Sequence, residues 1–376
     1  MKVALVHDYI KEYGGAERVL EALHEAFPDA PVYTSIYLPE FLGPHKSRFK
    51  NWDIRTSVLQ KIPYKQKLIS PLRLLAPFAF KRFDFSEYDV VIVSATGAYF
   101  PNMIRTKDKE GNGPVQICYC HTPPRYLYGY ATAREWKKNP VMNVIGEVAN
   151  HILRMDDAEA SKSVDYYVAN SEEVARRIKK FYQRDATVIY PPVDVSKATS
   201  DKQKAKSAGK YYLTGGRLAR PKHVDLLVRV CTRMGVQLKV FGKAFAGYGE
   251  ELQVLAGPTV EFVGEVSDGR KWELLSNAKA FLFASEDEDF GIMPVEAMGA
   301  GVPVIAYKSG GVKETVVDGV TGIFFEKLSV DAIKEAIEKF EKSKIDTKDC
   351  VRQAEKFAKG RFMLEIEKFV KAKVGS

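Results

Sequence analysis

The chain has 376 residues, of which 45% are hydrophobic and 28% are charged, and its formal net charge is +9. This length exceeds the size at which one hydrophobic core keeps growing, which predicts two domains. The composition is that of an ordinary globular protein and excludes a disordered or low-complexity chain. No window approaches the roughly 18 consecutive apolar residues of a membrane span, and the N-terminus turns polar too early for a signal peptide. We therefore expect a cytoplasmic protein.

The four cysteines agree with that location. Cys118 and Cys120 are the only close pair, and they lie inside one strand-like run. Cys231 and Cys350 are distant from this pair and from each other. We expect four buried thiols.

The positive charge is concentrated in one segment. Residues 46–82 carry ten Lys or Arg side chains against a single acid, Asp53, so this segment alone accounts for the net charge of +9. Aromatic and aliphatic residues are interleaved with the cations, a mixture that suits an anionic membrane surface. The alternative is a solvated helical excursion whose apolar side faces the core. Nucleic acid would attract the same charge, but no recognised binding module accompanies it.

The first half of the chain predicts an α/β domain. A helix with apolar residues at helical spacing is predicted over 16–27, and a capping signature at Asn170 and Glu173 predicts another that continues to Phe181. Strands that alternate with helices predict a parallel sheet. The strand-like runs are 2–7, 32–37, 89–94, 115–120 and 166–169.

The pattern stops near residue 190 and restarts near 211, which predicts a second α/β domain. Its predicted helices are 222–234 and 270–278, and two more helices, 330–342 and 347–374, follow. Its predicted strands are 211–214, 238–241, 260–263, 280–284 and 302–306. The expected division is a first domain over 1–190, a linker over 191–210, a second domain over 211–350, and a C-terminal helix over 351–376 that can pack back on the first domain.

Loops that follow strands are the places to search for a site, because open α/β sheets bind ligands beyond the carboxyl ends of their strands. Gly14 and Gly15 let the backbone approach a ligand at the start of the first helix, although their loop lacks the glycine spacing of a dinucleotide fingerprint or a P-loop. Arg217 and Lys222 follow the first strand of the second domain and bring two cations to a helix start. Such a pair suits a diphosphate, and a solvated basic turn is the alternative.

An acidic motif follows a later strand. Residues 285–305 read SEDEDFGIMPVEAMGAGVPVI, and their four adjacent carboxylates require a ligand, cations or water to offset the repulsion. Pro294 is expected to open a helix that holds Glu296 in its first turn, eight residues after Glu288. Carboxylates accept hydrogen bonds from hydroxyls, so these acids suit sugar rings and ribose. An acidic helix start without function is the alternative.

This motif resembles the signature of the retaining GT-B glycosyltransferases of glycosyltransferase family 4, in which a Glu, a Phe-Gly pair and a second Glu frame the donor site. The Val-Pro-Val-Ile-Ala run at 302–306, Gly310-Gly311 with Glu314, and Asp318-Gly319 with Gly322 continue the family pattern in its usual order. The resemblance spans nearly the whole chain. It implies an α/β fold of GT-B architecture, with two Rossmann-like domains whose parallel sheets face a central cleft.

The resemblance also implies residue roles at the donor site. It assigns Glu296 to the ribose hydroxyls, Glu288 to the transferred sugar, and Arg217 and Lys222 to the diphosphate. The turn at Gly14 and Gly15 is similar to the family loop that approaches donor phosphate. Val263 lies where such enzymes place backbone against the base. Backbone N–H groups that help to fix sugar and phosphate are expected on Phe290, Gly291, Ile292 and Met293.

His121 ends a predicted strand, and the prolines after it fix the following loop. A lone histidine is usually structural, but this one resembles the family histidine that lines the cleft near the sugar. The sequence Thr-Pro-Pro-Arg-Tyr at 122–126 is typical of a subset whose donors are often GDP-mannose. The resemblance therefore implies catalytic residues at Glu288, His121, Arg217 and Lys222.

The implied reaction is transfer of a hexose, most readily mannose from GDP-mannose, to a hydroxyl of a glycan or lipid-linked acceptor with retention of configuration. The nucleotide sugar is the co-substrate, and neither cofactor nor metal is expected, because Arg217 and Lys222 supply the positive charge. The expected location is cytoplasmic, with peripheral contact at the inner face of an anionic membrane through residues 46–82, and without nucleic acid. A nucleotide-sugar epimerase of related fold and a non-catalytic nucleotide-binding or nucleic-acid-binding protein are the alternatives.

Overall fold

The computed structural model of the protein describes residues 1–130, 140–195 and 209–375 and, for 140–145, the backbone alone. Most of the predicted linker, residues 196–208, lies outside the described residues. The described chain divides into two compact units. The first contains 1–130, 140–192 and 360–375, and the second contains 193–195 and 209–359.

The first unit is built on a parallel seven-stranded sheet in the order β3-β2-β1-β4-β5-β6-β7. Its strands are short runs rich in Val, Ile and Tyr, as expected for strands covered on both faces. Alternate residues enter two separate cores, so that Val6 and Val93 pack on one face while Leu5 and Ile92 pack on the other. The strands are β1 (Val3–His7), β2 (Val32–Thr34), β3 (Ile54–Thr56), β4 (Val90–Ala95), β5 (Val115–Cys120), β6 (Tyr166–Ala169) and β7 (Ala186–Val188).

Helices cover both faces of this sheet. The predicted capping residue Asn170 is wrong by one position, because the side chain of Ser171 accepts the hydrogen bond from Val174 N at 3.1 Å. The helices are α1 (Gly15–Ala26), α2 (Lys65–Leu72), α3 (Ala76–Phe80), α4 (Pro140–Lys162) and α5 (Glu172–Tyr182).

The second unit holds a parallel six-stranded sheet in the order β10-β9-β8-β11-β12-β13. Its strands are β8 (Tyr211–Gly215), β9 (Leu238–Phe241), β10 (Val260–Gly264), β11 (Ala278–Phe283), β12 (Val304–Tyr307) and β13 (Gly322–Phe325). Its helices are α6 (Val224–Met234), α7 (Tyr248–Leu255), α8 (Asp268–Ser276), α9 (Ile292–Gly299), α10 (Val312–Thr315), α11 (Val330–Lys342) and α12 (Thr347–Glu355).

The prediction of one continuous helix over 347–374 is wrong. α12 ends at Glu355, and α13 spans Lys359–Val374. Between them the backbone pairs with Val193, whose N–H donates to Phe357 O at 3.0 Å and whose carbonyl accepts from Lys359 N at 3.2 Å. These two bonds take the place of hydrogen bonds that a continuous helix would form, so the helix is interrupted here. Within the first unit, α13 buries Phe362 against Tyr119, with ring centroids 5.7 Å apart.

The order in which strands are added to each sheet reverses once. The reversal lies between β1 and β4 in the first unit and between β8 and β11 in the second. At such a point the loops after two adjacent strands separate, which opens a crevice at the carboxyl ends of the strands. The cysteines are free and buried, as predicted. Among the helices of the described ranges, none has the length and apolar character needed to cross a bilayer.

Candidate active site

In the second unit, the loop after β8 is shaped by close backbone packing. A Cβ atom on Gly215 would lie 2.4 Å from the ring of Phe241, and one on Gly242 would lie 1.8 Å from Gly216 O. Gly216 itself has a φ of 109°, a conformation that glycine adopts without strain. Arg217 directly follows Gly215 and Gly216 in the loop, and its side chain is exposed. Its guanidinium carbon lies 5.7 Å from the centre of the Phe245 ring.

Lys222 ends a 3-10 turn over Arg220–Lys222 and forms an ion pair with Glu288. Oε2 of Glu288 accepts hydrogen bonds from Lys222 Nζ and, at 2.6 Å, from Ser285 Oγ. The neighbouring ring nitrogen His223 Nε2 lies 3.3 Å from Glu286 Oε2. Cationic and polar groups from the loop after β8 thus offset the carboxylates that follow β11.

The acidic loop is held against the loop after β12. Gly311 N donates to Glu288 O at 2.8 Å, and a Cβ atom on Gly310 would lie only 2.0 Å from that oxygen. Gly310 also has a φ of 60°. Both the space and the left-handed conformation require glycine there, so this pair sets the position of the Glu288 backbone.

The start of α9 places backbone donors beside these loops. Gly291 precedes the helix with a φ of 93°, and the side chain of Phe290 is buried against Phe357 with ring centroids 5.4 Å apart. The first N–H groups of a helix have no intrahelical acceptor, which leaves those of Ile292 and Met293 suited to an anion. A Cβ atom on Gly216 would lie 3.5 Å from Met293 Cγ, so the loop after β8 borders this helix start.

Glu296 lies in the second turn of α9, because the helix begins at Ile292 and not at Pro294 as predicted. Its side chain is 1% exposed, and Oε1 accepts a hydrogen bond from Lys271 Nζ at 2.6 Å. Lys271 is on α8 and has Asp268 Oδ1 at 3.7 Å. Sequence reasoning missed Lys271, whose only signal is a lysine between buried positions of an amphipathic helix.

Val263 is on β10, an edge strand that is separated from β8 by β9. Its neighbour Gly264 accepts a hydrogen bond from Gly242 N at 2.8 Å. Gly242 in turn packs on Gly216. The backbone after β10 is therefore connected to the loop that carries Arg217.

In the first unit, Gly14 precedes α1 and Gly15 is its first residue. Glu17, in the first turn, accepts a hydrogen bond from Gly14 N through Oε2 at 2.8 Å. A Cβ atom on Gly14 would lie 3.3 Å from that oxygen. The glycine turn is thus fixed by a buried carboxylate that sequence reasoning did not single out.

His121 follows β5 and is 9% exposed. Its Nε2 lies 2.9 Å from Ser94 Oγ, and its carbonyl accepts a hydrogen bond from Asn170 Nδ2 at 3.0 Å. Burial, together with the nearby His7, lowers the pKa of His121 to about 3. The ring is therefore neutral at physiological pH.

The loops after β1 and β4 are joined by a second buried acid, Asp8, which sequence reasoning also missed. Its carboxylate accepts hydrogen bonds from Thr96 N at 2.6 Å and from Tyr99 N at 2.7 Å. Burial raises the pKa of Asp8, and the proximity of His7 opposes this shift. Asp8 thereby connects the loop that follows β1 to the loop that follows β4.

Comparison with known proteins identifies the family. The model for Glycosyltransferase Family 4 matches residues 13–197, and the model for glycosyl transferases group 1 matches residues 196–357. The two matches are consecutive and together cover 13–357. The chain belongs to the GT-B glycosyltransferases of family 4.

Curated relatives and solved structures agree with this assignment. The alpha-1,3/1,6-mannosyltransferase ALG2 of Homo sapiens is 27% identical over 323 residues, which cover 76% of this chain and 73% of the relative. The Mus musculus protein of the same name is 25% identical over 411 residues, covering 95% and 93%.

Among solved structures, sucrose-phosphate synthase from Thermosynechococcus elongatus has a TM-score of 0.71 at 16% identity, with full coverage of both chains. HepE of Anabaena in complex with UDP has a TM-score of 0.69 at 18% identity, covering 99% of this chain and 100% of its own. These likenesses confirm the predicted α/β fold of GT-B type.

Proposed function

We propose that this glycosyltransferase transfers mannose from GDP-mannose to a hydroxyl of a glycan or lipid-linked acceptor, with retention of configuration. The observation that carries the proposal is the similarity to ALG2 mannosyltransferases, which extends over 95% of this chain for the mouse protein. The Thr-Pro-Pro-Arg-Tyr sequence at 122–126 supports the same donor. HepE, whose structure contains UDP, supports a nucleotide-sugar donor in general.

The donor site proposed for this reaction lies in the second unit. Arg217 and Lys222 hold the diphosphate, and the N–H groups at the start of α9 add backbone donors to it. Because Lys222 is already paired with Glu288, its ammonium group is positioned before the donor binds. Glu288 contacts the transferred sugar, and Glu296, held by Lys271, contacts the ribose.

Stabilisation of the departing diphosphate is the main catalytic effect in this scheme. Fixed cations and backbone dipoles that face developing negative charge lower the barrier without reorganisation during the reaction. The acceptor hydroxyl arrives on the face that the diphosphate leaves, and a donor phosphate oxygen accepts its proton. No protein carboxylate acts as a nucleophile, unlike in retaining glycoside hydrolases. Oε2 of Glu288 already accepts hydrogen bonds from Lys222 and Ser285, which suits a binding role.

The reaction is proposed to need no metal, since Arg217 and Lys222 supply the charge that a divalent ion would supply. Turnover should then be the same in a chelator such as EDTA and in added Mg²⁺. A requirement for the ion would remove this part of the proposal and leave the donor assignment in place.

Docking of the first unit on an anionic membrane is part of the proposal. Residues 61–82, here called the basic apolar surface, place Leu72, Ala76 and Phe80 in the core beneath them. Five further large side chains of the same segment point outward, more than packing on the core requires. Exposed cations lie among them, a combination that suits anionic lipid. The outward side chains are Tyr64, Leu68, Leu74, Leu75 and Phe78, and the exposed cations are Lys61, Lys67, Lys81 and Arg82.

A thermal-shift screen of nucleoside diphosphates tests the donor. A ligand at 100 times its dissociation constant adds about 2.7 kcal/mol to the free energy of unfolding, so specific binding is easily detected. GDP should stabilise the protein more than UDP at equal concentration. Equal or reversed shifts would remove GDP-mannose as the donor without affecting the family assignment.

Two other functions remain to be distinguished by experiment. A nucleotide-sugar epimerase would interconvert the sugar when given the donor alone, whereas the proposed transferase needs an acceptor. A protein that only binds nucleotide or nucleic acid would show no turnover, and nucleic-acid binding would weaken steeply with salt. Both family models describe glycosyltransferases, which favours transfer.

A further inference from the structure

Four buried side chains of the first unit contact one another in a row that the donor scheme does not use. They are Glu17, His7, Ser94 and His121. His7 Nδ1 lies 3.1 Å from Ser94 Oγ, and Ser94 Oγ lies 2.9 Å from His121 Nε2. At the other end, His7 Nε2 lies 3.7 Å from Glu17 Oε1. His7 and Ser94 are directly paired residues of the parallel strands β1 and β4, so the sheet register itself creates the central contact.

We infer that Glu17, His7 and Ser94 are positioning residues that fix neutral His121 with its proton on Nε2 and its lone pair on Nδ1. If the proposed function is correct, Nδ1 is then an acceptor for a hydroxyl group of a substrate. The assignment concerns the direction of the hydrogen bonds along the chain and not the presence of a histidine at the site.

The direction follows from the carboxylate at one end. His7 Nε2 is completely buried, and Glu17 Oε1 at 3.7 Å is beyond hydrogen-bonding distance but close enough for a strong electrostatic interaction. A lone pair on Nε2 would face negative charge, whereas an N–H there faces it favourably. In the neutral form of His7 the proton therefore lies on Nε2, and Nδ1 is the acceptor.

Ser94 transmits this direction because it has only one proton. Its hydroxyl donates to His7 Nδ1 and must then accept from His121 Nε2. His121 is neutral, with a pKa of about 3, so a proton on Nε2 leaves Nδ1 unprotonated. All donors point toward Glu17, and the reverse order would place the lone pair of His7 Nε2 against the Glu17 carboxylate.

Glu17 joins this chain to the glycine turn. Its Oε2 accepts from Gly14 N at 2.8 Å while its Oε1 faces His7. One buried carboxylate thus sets the backbone at the start of α1 and the tautomer of His121.

The tautomer can be measured directly on the full chain by long-range ¹H–¹⁵N spectra of protein labelled with ¹⁵N-histidine. The chain has six histidines, so His121→Asn and His7→Asn variants suffice to assign the two relevant rings. At about pH 8, above the ordinary imidazole pKa of about 6.5, we expect a protonated-type signal for His121 Nε2 and an unprotonated-type signal for Nδ1. A protonated Nδ1 or a doubly protonated ring would overturn the inference.

Variants test whether Glu17, His7 and Ser94 set the tautomer of His121. Ser94→Ala should turn the single His121 form into a mixture, and Ser94→Thr, which keeps the hydroxyl, should restore it. Glu17→Gln keeps an acceptor for Gly14 N but removes the charge, and it should also produce a mixture. Unchanged His24 and His151 signals would show that these variants are folded. A His121 signal that is identical in wild type, Ser94→Ala and Glu17→Gln would contradict the inference.

Activity provides a separate readout. In Ser94→Ala we expect kcat/KM with GDP-mannose to fall about tenfold, the size of one hydrogen bond, with recovery in Ser94→Thr. If the wild-type tautomer is as described but GDP-mannose is not a substrate, only the proposed function fails. If the tautomer differs while mannose transfer is observed, only the inference fails.

Discussion

The two units carry their polar groups in opposite ways. In the second unit, Lys222 and Glu288 are ionic and reach solvent, with side chains 32% and 15% exposed. In the first unit, His7 and Ser94 are fully buried and His121 is a neutral ring. A charged diphosphate must be met by groups that can exchange water for phosphate, whereas a sugar hydroxyl is selected by the direction of a hydrogen bond. The second unit thus presents accessible ion pairs, whereas the first unit presents buried hydrogen bonds.

The largest effect is expected where the second unit does bury charge. Lys271→Met leaves Glu296 buried without its principal cation and should lower the free energy of unfolding by about 3–5 kcal/mol. Chemical denaturation measures the loss. The double variant Lys271→Met/Glu296→Leu should regain most of it, since no buried charge remains. A double variant as unstable as the single one would show that packing, and not charge pairing, determines stability here.

Removal of cations from the basic apolar surface should weaken the binding of the protein to anionic membranes. Replacing Lys61, Lys67, Lys81 and Arg82 by Ser removes exposed cations that contribute roughly 1 kcal/mol each near an anionic surface. Co-sedimentation with phosphatidylserine vesicles should be strong for wild type at low salt and lost in the variant. Arg73 is left unchanged because its guanidinium carbon lies 3.9 Å from the centre of the Tyr126 ring. Wild-type protein that ignores the vesicles would refute docking.

Arg217 and Lys222, the proposed diphosphate ligands, should control turnover. Arg217→Ala and Lys222→Ala should each reduce kcat about 10²–10³-fold, the usual effect of removing one fixed group that stabilises transition-state charge. Folding should be little affected. Arg233→Ala is the matched control, because Arg233 is an exposed arginine of α6 that pairs with Asp331. Activity within a few-fold of wild type in both test variants would refute the donor-site assignment.

A smaller, pH-dependent effect is expected at Asp157, a buried acid of the first unit. Burial raises its pKa from 3.8 to about 6, although hydroxyl groups of Tyr128 and Tyr182 donate to it and oppose the shift. Between these values the native state binds the proton more tightly than the unfolded state does. Stability therefore falls as pH rises from about 4 to about 6, by roughly 3 kcal/mol for two pKa units.

Asp157→Asn removes this titration and tests the sign. The difference in the free energy of unfolding between variant and wild type should grow in favour of the variant from pH 4 to pH 6 and then stay constant. Urea denaturation at one-unit pH intervals measures it. A difference that does not depend on pH would show that Asp157 titrates alike in both states.

Much of the fold follows from local sequence patterns. The predicted bounds of β6 (166–169) and β9 (238–241) coincide with those in the structure, because short apolar runs between polar turns mark buried strands. The break between α12 and α13 was not predictable in this way. It depends on a backbone pairing with Val193, more than 160 residues earlier in the chain.

The site was predictable only where its residues lie in one motif. Glu288 and Glu296 share a short stretch, and the resemblance to family 4 drew attention to both. Lys271 and Ser94 were missed, because the role of each depends on contact with a residue in another helix or strand. Strand register brings Ser94 to His7, 87 residues away, and helix packing brings Lys271 to Glu296. No periodicity in the sequence records such pairings.

The reaction itself can be tested by one product analysis. Purified protein is incubated with GDP-mannose and an alkyl α-mannoside acceptor, and the configuration of the new bond is read from the one-bond carbon–hydrogen coupling at its anomeric centre. GDP-mannose is an α-linked donor, so the account predicts an α-mannosidic product that forms only with acceptor present. A β-linked product would contradict retention, and conversion of the donor to another nucleotide sugar without acceptor would contradict transfer.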